Sequence, residues 1–284
     1  MIELLLEPFS LGFMSRAFLG VSFIAILSGI LGTFMVLRGL ALMGEAIAHA
    51  SFGGLAVAMF FGWPLHVGAL LLGLGTACVV AFLGRSTRLK ADSALAILLT
   101  GGFSFGVLGL YLQGSYGSDL NSLLLGSILA IQPSDLYWII GAVLVAGLII
   151  LVAFRHLVYV SFDPSGAAAS GLPVTGLQLL LLSLIAVCIV IALQAIGVIL
   201  VVALLITPAG TAALVTRQIG KMIGLATLFG LIGSWIGLYL SYYISLPSGA
   251  TIVAVLCIQF ALGFVLQRIL HRLRPLQDEA EGLT

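Results

Sequence analysis

Glu45 and His49 are the residues of this chain whose types and spacing most readily suggest chemistry. They lie in the stretch GEAIAHASFGG. On a helix, positions four apart share a face, with about 6 Å between them along the axis. A carboxylate oxygen and an imidazole nitrogen are donors that Zn2+, Mn2+ and Fe2+ all accept. Two copies of the pair from facing subunits would supply four ligands. The same two groups also suit mutual neutralisation within a helix bundle, or a proton relay. The residue types leave these three readings open. Ala46, Ala50, Gly53 and Gly54 clear space on that side of the helix, as a pathway requires.

The elements that must position this pair are membrane helices. Of the 284 residues, 62% are hydrophobic and only 7% are Asp, Glu, Lys or Arg. A typical soluble domain has roughly 25% charged residues, so this chain cannot cover a water-facing surface. Mean hydropathy is +1.29. Apolar runs at 16–37, 40–61, 65–84, 93–112, 135–154, 175–193, 196–215, 221–243 and 249–269 predict an all-α polytopic bundle of about eight or nine spans. The whole chain, 1–284, reads as one transmembrane domain with a short outer segment at 1–15. His49 falls some 13 Å along its span, near the bilayer midplane, and Glu45 about half as deep. The stretch 119–131 is too short to cross as a helix and reads as re-entrant or interfacial.

Charge sets the expected orientation. Lys and Arg collect at Arg85, Arg88 and Lys90, at Arg155, at Arg217 and Lys221, and at Arg268, Arg272 and Arg274. The positive-inside bias puts these in the cytoplasm, together with Arg38 and the tail 271–284. The N-terminus is then outside and the C-terminus inside. The net charge of +1 gives no field for nucleic acid. No GxxxxGK stretch occurs, so any ATP that drives the protein is used by another subunit. Cys78, Cys188 and Cys257 lie far apart in apolar runs and read as small buried hydrophobes.

Several other residues carry a structural and a functional reading side by side. In SFDPSGAAASGLPVTG, Asp163 and Pro164 predict a helix start, and Gly171 with Pro173 its end. That short helix is either an ordinary loop or a docking surface for a cytoplasmic partner. Pro208 predicts a kink whose freed carbonyl is met by Thr207 or Thr211; it is either structural or a moving gate. His66 is expected at the outer interface or in an outer vestibule. Asp119 and Asn121 are helix caps or outer vestibule contacts, and Gln194 and Gln259 are expected to bond across helices.

Four stretches together resemble the membrane permease subunits of ABC transporters that import zinc, manganese or iron, the ABC-3 family. They are VLRGLALMGEAIAHASFGGLAVA, STRLKADSALAILLTGGFSFGVLGL, FDPSGAAASGLP and GVILVVALLITPAGTAALVTRQIGKM, within Phe13 to Leu270. The resemblance implies a homodimer with one central pathway and two cytoplasmic ATPases. It also implies an extracytoplasmic metal-binding protein that delivers Mn2+, Zn2+ or Fe2+. It maps the family's metal-passage acid and histidine onto Glu45 and His49, with Glu where Asp is usual. It likewise makes 161–173 the coupling element for the ATPase, with Ser165, Gly166 and Ser170 where larger residues are common. Two rivals remain from the residues alone. A proton- or sodium-coupled secondary carrier would work without any ATPase. A non-transporting membrane scaffold would need neither the polar pair nor Pro208.

Overall fold

The computed structural model describes residues 7–83, 91–112, 126 and 128–281, with side chains for 7–81, 95–109, 111–112, 126 and 128–269. Every regular element among them is helical: α1 (Gly12–Leu37), α2 (Ala41–Phe61), α3 (Leu65–Leu83), α4 (Ala91–Leu112), α5 (Pro133–Phe162), α6 (Pro164–Ala169), α7 (Val174–Ile196), α8 (Val198–Val215), α9 (Ile219–Ile244) and α10 (Ser248–Glu281). A 3-10 turn, Ile128–Ala130, precedes α5. Helices are the natural solution because each one satisfies its own backbone where no water can.

Seven of these helices, α1, α2, α5, α7, α8, α9 and α10, are long and apolar enough to cross a membrane. The expected spans at 65–84 and 93–112 are present as α3 and α4, but their described apolar portions, Leu65–Ala81 and Leu95–Gly109, are shorter. Of the short segment at 119–131, positions 119–125 and 127 lie outside the described residues, as do Arg85, Arg88 and Lys90. Its remainder is drawn into the protein. Ile128 and Ile131 are buried, and Arg16 donates from Nε to the Ile131 carbonyl at 3.0 Å.

Helix ends follow from local chemistry. Pro133 opens α5 inside a capping box, in which the Gln132 amide donates to Asp135 Oδ2 at 3.0 Å. α7 and α8 are separated by Gly197 alone, at φ 80° and ψ 161°, a conformation open only to glycine. The two helices therefore meet at a one-residue corner.

The core is assembled by close approach of small residues. In α1, a Cβ on Gly29 would lie 2.7 Å from the Thr227 backbone of α9, and one on Gly32 would collide with the Leu205 carbonyl of α8. Gly54 and Gly68 clear the α2–α3 crossing, and Gly233 and Gly237 clear α9 against Leu256 and Ile252 of α10. Enclosure is uneven. In α1, α2 and α7, 67% of the apolar window is buried, against 22% in α5, so α5 presents most of its surface outward.

Candidate functional site

α2 carries Glu45 and His49, and α4 fixes where α2 lies. A Cβ on Gly53 would fall 2.6 Å from the Gly102 carbonyl oxygen; one on Gly102 would fall 2.8 Å from Ala50 Cα and 3.1 Å from the His49 carbonyl oxygen. Gly106 and Gly109 continue the same stripe against Phe52 and Ala56. The two helices therefore meet backbone to backbone right beside His49. That contact positions the histidine's main chain.

The side chain is positioned by two further contacts. His49 Nδ1 lies 3.0 Å from the main-chain carbonyl of Glu45. A carbonyl only accepts, so this bond puts the ring proton on Nδ1 and leaves the Nε2 lone pair available. The imidazole also sits against Phe103 of α4, with ring centroids 5.7 Å apart, and Phe103 in turn stacks on Phe52 at 5.6 Å and 21°. Ala46, Ile47 and Ala48 between the pair are fully buried, whereas Glu45 and His49 are half-exposed. The pair thus lies at the edge of the chain's packed core.

A groove of about 670 Å³ begins at Ala50, one residue beyond His49, and runs to the far ends of α2 and α4 past Gly53, Val57, Gly101, Phe105 and Leu108. Its lining is almost wholly apolar and cannot by itself hold a bare cation. Among the described residues, no cluster of three His, Cys, Asp or Glu forms a metal-binding group. Glu45 and His49 thus stand beside an apolar wall. On α4 the stripe Ile97, Phe105, Leu108 and Leu112 beside the groove is 57–74% exposed.

The segment at 161–173 is built as the sequence predicts. Asp163 Oδ1 accepts from the Gly166 amide at 2.8 Å and from the Ser165 hydroxyl at 2.8 Å, starting α6 at Pro164. Those two bonds, the amide's first, hold the Asp163 carboxyl below the usual carboxylate range. Gly171 at φ 79° turns the chain toward Pro173 and α7. Ala167 is buried, while Asp163, Pro164, Ser165 and Ser170 are exposed. Apart from its buried centre, α6 thus faces outward.

Pro208 is buried within α8, beside Gly230 of α9. The Thr211 hydroxyl donates to the Thr207 carbonyl at 2.8 Å and not to the Leu204 carbonyl that proline releases. His66 is exposed at the start of α3, its ring against Trp138 at 6.2 Å and 30°. Asp119 and Asn121 lie outside the described residues. Glu45 and His49 share α2 and meet through the His49 ring and the Glu45 carbonyl, while His66, Asp163 and Pro208 lie on other elements.

Three expectations need correction. Cys78 and Cys257 are exposed on the protomer, and only Cys188 is buried. Gln194 is exposed and makes no cross-helix bond among the described residues. Gln259 Oε1 is buried without a partner there, over Gly233. In each case an apolar helix gives little sequence sign of which face turns inward. The sequence reading also missed Arg16 and Phe103. A lone arginine in an apolar run was a usable signal for the first; nothing marked the second.

The comparisons with known proteins agree with this architecture. The family description "ABC 3 transport family" matches residues 10–267. A manganese transport system membrane protein of Halalkalibacterium halodurans, MntC, is 38% identical over 255 residues, which is 90% of this chain and 87% of that protein. The chelated iron transport system membrane protein YfeD of Yersinia pestis is 35% identical over 281 residues, covering 98% and 92%. Among solved structures, PsaBC from Streptococcus pneumoniae in complex with Fab superposes with a TM-score of 0.85 at 33% identity, covering 93% of this chain and 95% of that one. With a family match over most of its length and relatives well above 30% identity across nearly all of both chains, this protein belongs to the ABC 3 transport family.

Proposed function

We propose that the chain is the membrane-spanning subunit of an ATP-driven importer of divalent transition metals, with Mn2+ the leading cargo and Fe2+ or Zn2+ accepted by the same donors. The observation that carries this is the Glu45–His49 pair: one carboxylate and one imidazole on a shared helix face, the imidazole tied through Nδ1 so that Nε2 is free. The relatives named for manganese and for iron support the same class. Oxygen plus imidazole nitrogen suits Mn2+ and Fe2+, and Zn2+ takes both donors.

Two donors are too few to hold a dehydrated ion, and a second copy supplies the other two. The exposed apolar stripe on α4 and the groove beside it are the surface such a copy would cover. Four donors shared across a two-fold axis hold the ion weakly enough to let it go. α6 is the contact for a cytoplasmic ATPase, one per copy, and an extracytoplasmic binding protein delivers the metal at the opposite end. Closure of the ATPases is passed through α6 to α5 and α7, and α8 with its buried Pro208 shifts against α1 and α9. Counting α3 and α4 with the seven long helices gives nine spans, and with the basic ends inside this supports an outer N-terminus, a cytoplasmic C-terminus and a location in the bacterial cytoplasmic membrane.

The test is uptake of Mn, Fe and Zn, quantified together in cells that co-express this chain with its ATPase and binding protein. His49→Ala and an ATPase-dead strain serve as controls, with membrane expression verified. ATPase-dependent gain of one metal, lost in His49→Ala with assembly intact, is the expected result. Normal uptake by a well-expressed His49→Ala protein refutes the ligand assignment. Uptake that ignores the ATPase makes the chain a secondary carrier.

A further inference from the structure

α3 and α5 both pack on α7, and at the end of the bundle where α3 and α5 begin they leave a crevice of about 420 Å³ between them. It lies away from Glu45 and His49 and from the α2–α4 groove, so the metal pathway does not account for it. Its floor is Leu70 of α3, Ile139 and Ala142 of α5, and Val190 and Ile191 of α7. Its polar groups are confined to one rim: His66, Asp135 and Gln194. The His66 and Trp138 rings meet at 6.2 Å and join the two helices there.

The location and charge of the crevice select its occupant. Trp138 and Tyr137 are 73% and 77% exposed in the first turns of α5, at the depth where aromatic residues mark a membrane's headgroup layer. Leu144, Val145, Leu148 and Val152 continue the exposed apolar surface of α5 away from that rim, a surface suited to bilayer hydrocarbon. A pocket in the size range of small-ligand sites, apolar below and polar only at the headgroup end, fits an amphiphile. The one formal charge in its lining is the Asp135 carboxylate, whose Oδ2 takes the Gln132 amide while Oδ1 stays available. A carboxylate beside an exposed indole face recognises an ammonium group. A divalent metal ion is the poorer fit, since the rim offers only two ionisable side chains and the floor none.

We propose that this crevice is a binding site for a phospholipid with an ammonium headgroup. The ammonium is held by Asp135 and the Trp138 ring, the phosphate is met by Gln194 and His66, and one acyl chain lies on the floor. The site is independent of the cargo and of its pathway.

The test is native mass spectrometry of the full-length chain, reconstituted in nanodiscs with equal phosphatidylethanolamine and phosphatidylglycerol and then progressively stripped of lipid. Wild type is expected to retain phosphatidylethanolamine over phosphatidylglycerol by roughly two- to fivefold, the ratio an exposed ion pair supplies. Asp135→Asn keeps the capping acceptor but removes the charge, and should bring the ratio to parity. Ala142→Leu fills the floor and should lower retention of both lipids; unchanged melting temperatures in detergent verify that both variants are folded. Equal retention of the two lipids by wild type, or an undiminished preference in Asp135→Asn, overturns the proposal. So does saturable binding of Mn2+ alone that is lost in both His66→Gln and Asp135→Asn without lipid discrimination, which would make the crevice a cation site.

Discussion

Gly101 and Gly102 are neighbours in α4, yet an added methyl should have opposite consequences at each. A Cβ on Gly102 meets Ala50 Cα at 2.8 Å, Ala50 N at 2.9 Å and the His49 carbonyl oxygen at 3.1 Å; one on Gly101 meets nothing within 4 Å. The atoms met at Gly102 are all main chain, so no rotamer change relieves them. Non-bonded carbon contacts settle at about 3.5–4.0 Å, so α2 must retreat by roughly 0.7–1.2 Å at Ala50, the residue after His49. Overpacking of this kind costs about 1–3 kcal/mol, against which alanine's better helix propensity returns about 0.5–1 kcal/mol. Gly102→Ala is therefore expected to melt several degrees below wild type, while Gly101→Ala melts at or slightly above it. Thermal unfolding of the purified proteins in one detergent measures the difference directly. Because the displaced backbone adjoins His49, metal uptake should fall with it; misplacement by about 1 Å can cost as much as 100-fold where geometry is demanding. If Gly102→Ala matches Gly101→Ala in melting temperature and in uptake, the α2–α4 contact does not hold the site.

Other perturbations read other parts of the structure. Phe103→Leu should weaken uptake through the freed His49 ring, with Phe103→Tyr restoring most of it; equal uptake by all three proteins would remove the ring contact from the account. Asp163→Ala removes the acceptor for Gly166 and Ser165 and should lower metal-stimulated ATP hydrolysis without changing the melting temperature of the bundle, a split that an ATPase assay on the assembled transporter detects. The same carboxyl has its pKa lowered on folding, so its contribution is present above the unfolded carboxylate value, near 3.8, and fades as pH falls through the lower folded value. Coupling should accordingly be insensitive to Asp163 titration anywhere near neutral pH. Arg16→Ala deletes a charged donor to the Ile131 carbonyl and should loosen residues 128–131 by about 1.5–3 kcal/mol, seen as faster amide exchange confined to that turn.

The primary sequence determined the class of protein because composition admits few solutions. With 7% charged residues and apolar runs of helical length, only a bundle of membrane helices satisfies the backbone. The proline and glycine punctuation placed α6 between Asp163 and Gly171, since capping and left-handed turns are local properties of a few residues. The Glu45–His49 spacing was legible for the same reason: four residues on a helix fix a shared face whatever surrounds them. What surrounds them was not legible. An apolar helix shows no polar side to mark its outward face, so Cys78 and Cys257 turn out exposed where burial was expected. The choice of Gly102 over Gly101 as the contact with α2, the Phe103 ring against His49, and the meeting of His66, Asp135 and Gln194 around one crevice all join residues remote in sequence. Such pairings depend on crossing angles and rotations among helices, and packing of the whole bundle sets those; no single helix encodes them.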